Sequence, residues 1–220
     1  VTLVTAHVAL TGSDADGFAG TATSVSGGFD GIRRLTGAAS GTLTGENVAS
    51  TWVLGAATTY MDAAQLLTFT GFSTLQGGTA ADAFNVTENT TANLLGGAGS
   101  DTFVIAAGKT LTGNLNGQTD AANMDALSVA TNNTAAVLSG ADSTGFGGTI
   151  TGVSGTFAGI NKLHATGSGT EVLTGADLIN VWDVDAGTVL TNSQTLTYTG
   201  FETLNGGSAM DTFRLSVDAT

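Results

Sequence analysis

Residues 94–105 read LLGGAGSDTFVI, and the reading of this stretch decides the fold. Its plan is Leu94, Gly96 two residues on, Asp101 at seven, Phe103 at nine and Ile105 at eleven. Side chains alternate along a strand, so Phe103 and Ile105 share the inward face and Thr102 and Val104 alternate with them. Gly96 supplies a corner that a side chain would obstruct. Asp101 can bond the main-chain N–H groups of that corner. The plan recurs at Leu75, Gly77, Asp82, Phe84 and Val86, and at Leu204, Gly206, Asp211, Phe213 and Leu215. It recurs with Asn180 for Asp in Leu173, Gly175, Trp182 and Val184, and with Ser50 in Leu43, Gly45, Trp52 and Leu54. Two neighbouring occurrences lie 19 residues apart and others about 31, which predicts coils of variable length around a constant core.

A longer period encloses the short one. LTGSDADGFAGTATSVSGGFDGI (residues 10–32) matches LSGADSTGFGGTITGVSGTFAGI (138–160) at 14 of 23 positions. LTFTGFSTLQGGTAADAF (67–84) matches LTYTGFETLNGGSAMDTF (196–213) at 12 of 18. The period of about 128 divides the chain into a first unit, 1–128, and a second, incomplete unit, 129–220. The chain opens and closes inside this pattern, and neither Val1-Thr-Leu-Val-Thr5 nor residues 213–220 read as a polar cap, so it is expected to be part of something longer.

These repeats predict an all-β fold: a right-handed parallel β-solenoid (β-helix) with irregular coil lengths. Each coil buries too little to stand alone, and stacking makes the core continuous. Coils of about 20 residues at a 4.8 Å step predict a rod roughly 50 Å long. The absence of Pro agrees, because Pro removes a ladder donor. Trp52, Trp182, Phe84, Phe103 and Phe213 are expected in the core, with Leu75, Leu94 and Leu204 lining neighbouring coils. The stretch 60–67 reads as an insertion or irregular corner. A tandem pair of β-sandwiches is the rival, and the 19-residue recurrence of the motif argues against it.

Composition excludes several functions. Five basic residues face 18 carboxylates, for a net charge of −13, which does not suit nucleic acid. The absence of Cys removes disulfides and thiolate metal sites. Collagen fails for want of Pro, and ordinary disorder fails because 41% of residues are hydrophobic. No apolar run approaches the length of a membrane-spanning helix.

Residues 96–104 match the calcium nonapeptide G-G-x-G-x-D-x-U-x, with Asp101 as a hard oxygen donor. Asp82 and Asp211 occupy the same motif position without the third Gly. The competing reading is that Asp82, Asp101 and Asp211 cap corners and face water, and the lack of a consecutive nonapeptide favours it. No cofactor is required. Asp183 and Asp185 form the best local carboxylate pair, on one side of a strand, but Val53 and Gly55 replace them in the first unit. A solvated acidic edge is the preferred reading, and no catalytic residue is assigned. His7 and His164 lack counterparts in the other unit. Thr68-Phe69-Thr70 and Thr197-Tyr198-Thr199 are too far apart to form an ice-binding ladder. Phe72 and the two Trp residues read as core rather than sugar platforms. Arg33-Arg34 is a basic dipeptide that could pair with a neighbouring chain's acids, but a solvated corner is the preferred reading.

With GFxTLxGGxxxDxF at 71–84 and 200–213, and LLGGAGSDTFVI at 94–105, the chain resembles the large repetitive surface proteins of bacteria, the filamentous-haemagglutinin-like or RTX-like adhesins. The resemblance implies an extracellular, cell-surface β-solenoid stalk or fibre without enzymatic activity. Its expected partners are further copies of the repeat stacked end to end, in the same chain or as a homo-polymer, and a surface glycan or other cell-surface target. Neither nucleic acid nor a membrane span is expected. The alternatives are a calcium-binding RTX-type module and a β-helix polysaccharide-active enzyme, which would need an acidic groove holding a carboxylate pair.

Overall fold

The structure is a computed structural model that describes residues 7–23, 25–118 and 124–216. Val1-Thr-Leu-Val-Thr5 and residues 217–220, read above as poor caps, lie outside the described residues. No helix occurs among the described residues, and 24 strands join in one mixed sheet. Thr, Val, Leu and Phe at alternating positions favour this pleated surface over a helix.

The sheet consists mainly of two long ladders. In the first, parallel strands bring Val8, Leu43, Leu75, Leu94, Leu115 and Phe157 into successive register. In the second, Trp52, Phe84, Phe103, Leu127, Leu163 and Tyr198 line up in the same way. Pairing of Leu111 with Val153 and of Leu115 with Phe157 carries the sheet from the first repeat unit into the second. The inward side chains of both ladders belong to one buried core.

Each ladder contains an antiparallel meander once per unit. His7–Asp14, Gly17–Ala22 and Val25–Ile32 form the first, and Ala135–Asp142, Gly145–Ile150 and Val153–Ile160 repeat it. Ser50–Leu54, Thr59–Met61 and Leu66–Gln76 form the other, repeated by Val181–Asp183, Thr188–Thr191 and Gln194–Thr199. The stretch 60–67, expected to be irregular, is therefore part of a regular arm. Tyr60 and Leu67 oppose each other across it, and both are buried.

The aromatic core follows the motif. Trp52 stacks on Phe84 with ring centroids 5.3 Å apart, and Phe84 stacks on Phe103 at 5.1 Å. Trp182 stacks on Phe213 at 5.5 Å. Trp52, Trp182, Phe84, Phe103, Leu75 and Leu94 are buried as expected. Phe213 is not: it is 42% exposed, and Leu204 is half-buried. The cause is that no strand covers Thr203–Asn205 or Thr212–Arg214 on the side away from Leu173 and Trp182 among the described residues.

Candidate functional site

The motif aspartates form a chain of main-chain caps. Ser50 N–H donates to Oδ1 of Asp82 at 3.0 Å, and Asp82 N–H donates to Oδ1 of Asp101 at 2.8 Å. Asp101 N–H donates to Oδ1 of Asp125 at 2.7 Å, and Asp125 N–H to Oδ1 of Asn161 at 3.1 Å. The last copy repeats the step, with Asn180 N–H donating to Asp211 at 3.0 Å. The second carboxylate oxygen turns back on its own corner: Gly78 N–H donates to Asp82 at 2.8 Å and Gly207 N–H to Asp211 at 2.7 Å.

This geometry explains the glycine of the motif. A Cβ on Gly77 would overlap the carbonyl oxygen of Gly96 and lie 2.5 Å from Oδ2 of Asp82. The Asp and Gly positions are thus one feature, a carboxylate folded over a bare backbone. The expectation that these aspartates cap corners agrees with the bonds, but the expectation that they face water does not. Asp82 and Asp101 are buried, and Asp211 is half-buried. Burial raises the carboxyl of Asp82 above its ordinary value, against hydrogen bonds from Ser50 and Gly78 that pull it down.

Asp125 and Asn161 belong to the same row, although the spacing of the sequence motif does not reach them. Gly117 precedes Asp125 by eight residues instead of five, and Leu127 replaces the aromatic. The likeness of DALSV at 125–129 to DAFNV at 82–86 was the available signal. For calcium, Asp82, Asp101 and Asp211 are in place, but each spends carboxylate oxygen on backbone N–H groups. Among the described residues, no group of three or more His, Cys, Asp or Glu side chains could hold a metal ion.

A second acidic feature was not anticipated. Glu46 and Asp62, both buried, lie with Ser13 and Asn47 along a cavity of about 450 Å³. The Tyr60 hydroxyl donates to Oε2 of Glu46 at 3.2 Å and accepts from Glu46 N–H at 3.0 Å. Ser13 Oγ donates to Asp62, whose other oxygen accepts from the amides of Ala64 and Gln65 at 2.8 and 2.6 Å. Burial and the charge of Asp62 raise the carboxyl of Glu46. Burial also acts upward on Asp62, but the bonds from Ser13, Gln65 and Ala64 outweigh it and hold that carboxyl low. The two carboxyls are thus shifted in opposite directions, Glu46 upward and Asp62 downward. In the second unit Ala176, Thr191 and Ala141 stand at the positions of Glu46, Asp62 and Ser13, so the pair is confined to one unit.

The other singled-out residues are scattered. Asp183 ends its strand and Asp185 lies in the following turn, so they do not share a strand face as expected. Asp183 accepts from Ala186 N–H at 3.0 Å, and Asp185 accepts from the Ser216 hydroxyl at 2.5 Å. His7 is exposed, and Nδ1 of His164 lies 2.7 Å from the Thr199 hydroxyl. Burial, then the charge of Lys162, lowers the His164 pKa. Phe69 and Tyr198 point inward, with Thr70 and Thr199 exposed beside them. No helix among the described residues is long and apolar enough to cross a membrane. No family model matches the chain, and no curated protein or solved structure matches it.

Proposed function

We propose that this chain is a structural segment of a long secreted bacterial surface fibre, non-enzymatic, in which the two ladders wind as a right-handed parallel β-solenoid. The observation that carries the reading is the uninterrupted stack Trp52–Phe84–Phe103, reinforced at each step by an aspartate cap. Such a core grows by adding coils, and its length is set by repeat number rather than by a closed surface. The surface carries a net charge of −13, which keeps neighbouring fibres apart by like-charge repulsion. On this reading the protein lies outside the cell, at its surface, stacked on further copies of the repeat, with a surface glycan or cell-surface target. Electron microscopy of the native assembly tests it: thin rods or fibres are expected, and compact particles alone overturn it.

The pair Glu46 and Asp62 favours a second reading, a polysaccharide-active enzyme, because two carboxyls, one raised and one lowered from its ordinary value, line one open cavity. Turnover of acidic or neutral glycans that Glu46→Gln abolishes would establish it. Absence of turnover leaves Glu46 and Asp62 as a structural corner.

A further inference from the structure

Glu46, Asp62 and Ser13 come from three separate stretches of the first unit and meet along one cavity of about 450 Å³. Ser13 lies on the hairpin of His7–Asp14 and Gly17–Ala22, Asp62 follows the arm strand Thr59–Met61, and Glu46 lies in the corner after Arg34–Thr44. The aromatic packing joins the same parts. Tyr60 of the arm meets Phe18 of the hairpin edge to face at 5.4 Å, and Trp52 at 4.7 Å. Glu46 and Asp62 are 5% and 9% exposed, and their carboxyls hydrogen-bond to each other. Two carboxyls share a hydrogen bond only while one of them carries a proton. Among the described residues, neither forms an ion pair with a Lys or Arg.

We propose that this pair is a proton-operated clamp: one proton between Glu46 and Asp62 holds the hairpin and the arm together, and its loss drives them apart and opens the cavity to water. The bonds around the pair set the order of ionisation. Asp62 accepts from the Ser13 hydroxyl and from the amides of Ala64 and Gln65, all of which favour its charged form. Burial and the neighbouring Asp62 raise Glu46. Asp62 therefore ionises before Glu46, and between the two steps the pair holds one proton. Once Glu46 ionises as well, two like charges lie against each other in a buried site without a cation. Glu46 is raised above 4.5, so the clamp is fully present below that value and is lost as pH rises through the folded one. Asp62 is lowered from 3.8, so its share is lost only as pH falls through its own folded value.

The other titratable groups nearby do not supply this response. Burial holds the Tyr60 hydroxyl well above its ordinary value, so it stays protonated throughout. Asp82 faces Tyr60 from the next strand, and Asp211 makes the equivalent bond, to Asn180, in the second unit. Asp14 and Asp16 lie in the exposed turn of the hairpin, where Asp16 N–H donates to Asp14 at 2.8 Å and Arg33 donates to the carbonyls of Ala15 and Asp16. The second unit builds the same corner without the carboxyls, since Ala176, Thr191 and Ala141 replace Glu46, Asp62 and Ser13. There Nδ2 of Asn192 donates to the Ala141 carbonyl at 3.4 Å, and the Thr191 hydroxyl donates to Asn180 at 2.6 Å. Hairpin and arm are thus joined in the second unit by groups that do not titrate, and the chain contains its own comparison.

Amide hydrogen exchange of the whole chain, from about pH 4 to about pH 8, tests this. The readout is the ratio of exchange in residues 60–66 to that in 189–195, in which the pH dependence of the chemical step cancels. In wild type the ratio is expected to rise with pH, by up to about tenfold per pH unit while opening releases one proton. Glu46→Gln keeps a hydrogen-bond donor for Asp62 and cannot ionise, so its ratio is expected to stay flat. Asp62→Asn removes the like charge and is expected to move the rise to lower pH, and it serves alone if circular dichroism shows Glu46→Gln misfolded. A wild-type ratio that does not change with pH overturns the clamp. So does a rise that is the same in Glu46→Gln, or one whose position Asp62→Asn leaves unchanged. None of these outcomes bears on the fibre reading, which micrographs decide.

Discussion

The main chain of Asp82 is held by the side chain of Asp101 from the next strand of the ladder, N–H to Oδ1, at 2.8 Å. The bond is buried and lies across the direction of chain travel, so it registers one strand on the next. Asp101→Ala leaves the Asp82 amide without this acceptor, and a loss of about 1–3 kcal/mol is expected. Asp101→Asn keeps an acceptor, as Asn161 does for Asp125, and should cost less. Urea unfolding of both variants checks the order.

The same bond bears on calcium. With carboxylate oxygens of Asp82 and Asp101 committed to amides, added calcium is expected to leave the melting temperature unchanged. A rise of many degrees that Asp101→Ala abolishes would establish the calcium-binding reading.

Phe84 lies between Trp52 and Phe103, with a ring on each face. Phe84→Ala is expected to cost about 3–5 kcal/mol, the range for a buried aromatic truncation. Phe213→Ala, at a half-exposed position stacked on one face only, should cost much less in the monomer. The ratio of the two losses, from denaturant midpoints, measures how far the core depends on a coil at each side.

Two carboxyls predict opposite pH responses. Burial raises Asp82 above 3.8, so its contribution is fully present below the unfolded value and is lost as pH rises through the folded one. The stability of wild type relative to Asp82→Asn should therefore grow on acidification from about pH 7 towards pH 3. The hydroxyl and amide of Thr144 hold Asp142 below 3.8. Its contribution is present above that value and is lost as pH falls through the folded one, so Asp142→Asn should show the reverse trend. Unfolding midpoints across that pH range read both signs.

Tyr60 presents its hydroxyl to both the amide and the carboxylate of Glu46. Tyr60→Phe removes the amide's acceptor and should cost about 1–3 kcal/mol. The second unit fills the corner differently, with Val189 opposite Trp182 and Thr191 donating to Asn180 at 2.6 Å. Replacing Glu46, Ser50, Tyr60 and Asp62 together by Ala, Asn, Val and Thr should cost less than the sum of the single losses, because the residues share partners.

What was legible in the sequence is what repeats at short range. Leu, Gly, Asp and an aromatic at fixed spacing revealed the all-β character, the buried Trp52–Phe84–Phe103 stack and the role of Asp101 as a cap. Asp125 was missed because a longer loop changed its distance from Gly117, while the bond it makes depends only on which strand lies beside it. Residues 60–67 were misread for a related reason. Met61, Leu66 and Leu67 lack clean alternation, and the strand identity of Thr59–Met61 comes from its neighbours on both sides. The Glu46–Asp62 pair joins residues 16 apart to Ser13 on another meander, a meeting that only the folded chain produces.

The alignment of the ladders sets how the molecule would respond to a pull. Inter-strand hydrogen bonds run along the direction in which strands are stacked, so tension in that direction loads each rung by peeling rather than by shear. Rungs would open one at a time, and each opening would free the chain between successive ladder positions: 32 residues from Leu43 to Leu75, then 19 from Leu75 to Leu94. At about 3.4 Å per extended residue, the first of these alone lengthens the chain by roughly 100 Å. The unequal spacing of the motif thus becomes a graded set of yield steps, through which a tether could lengthen under load before it broke.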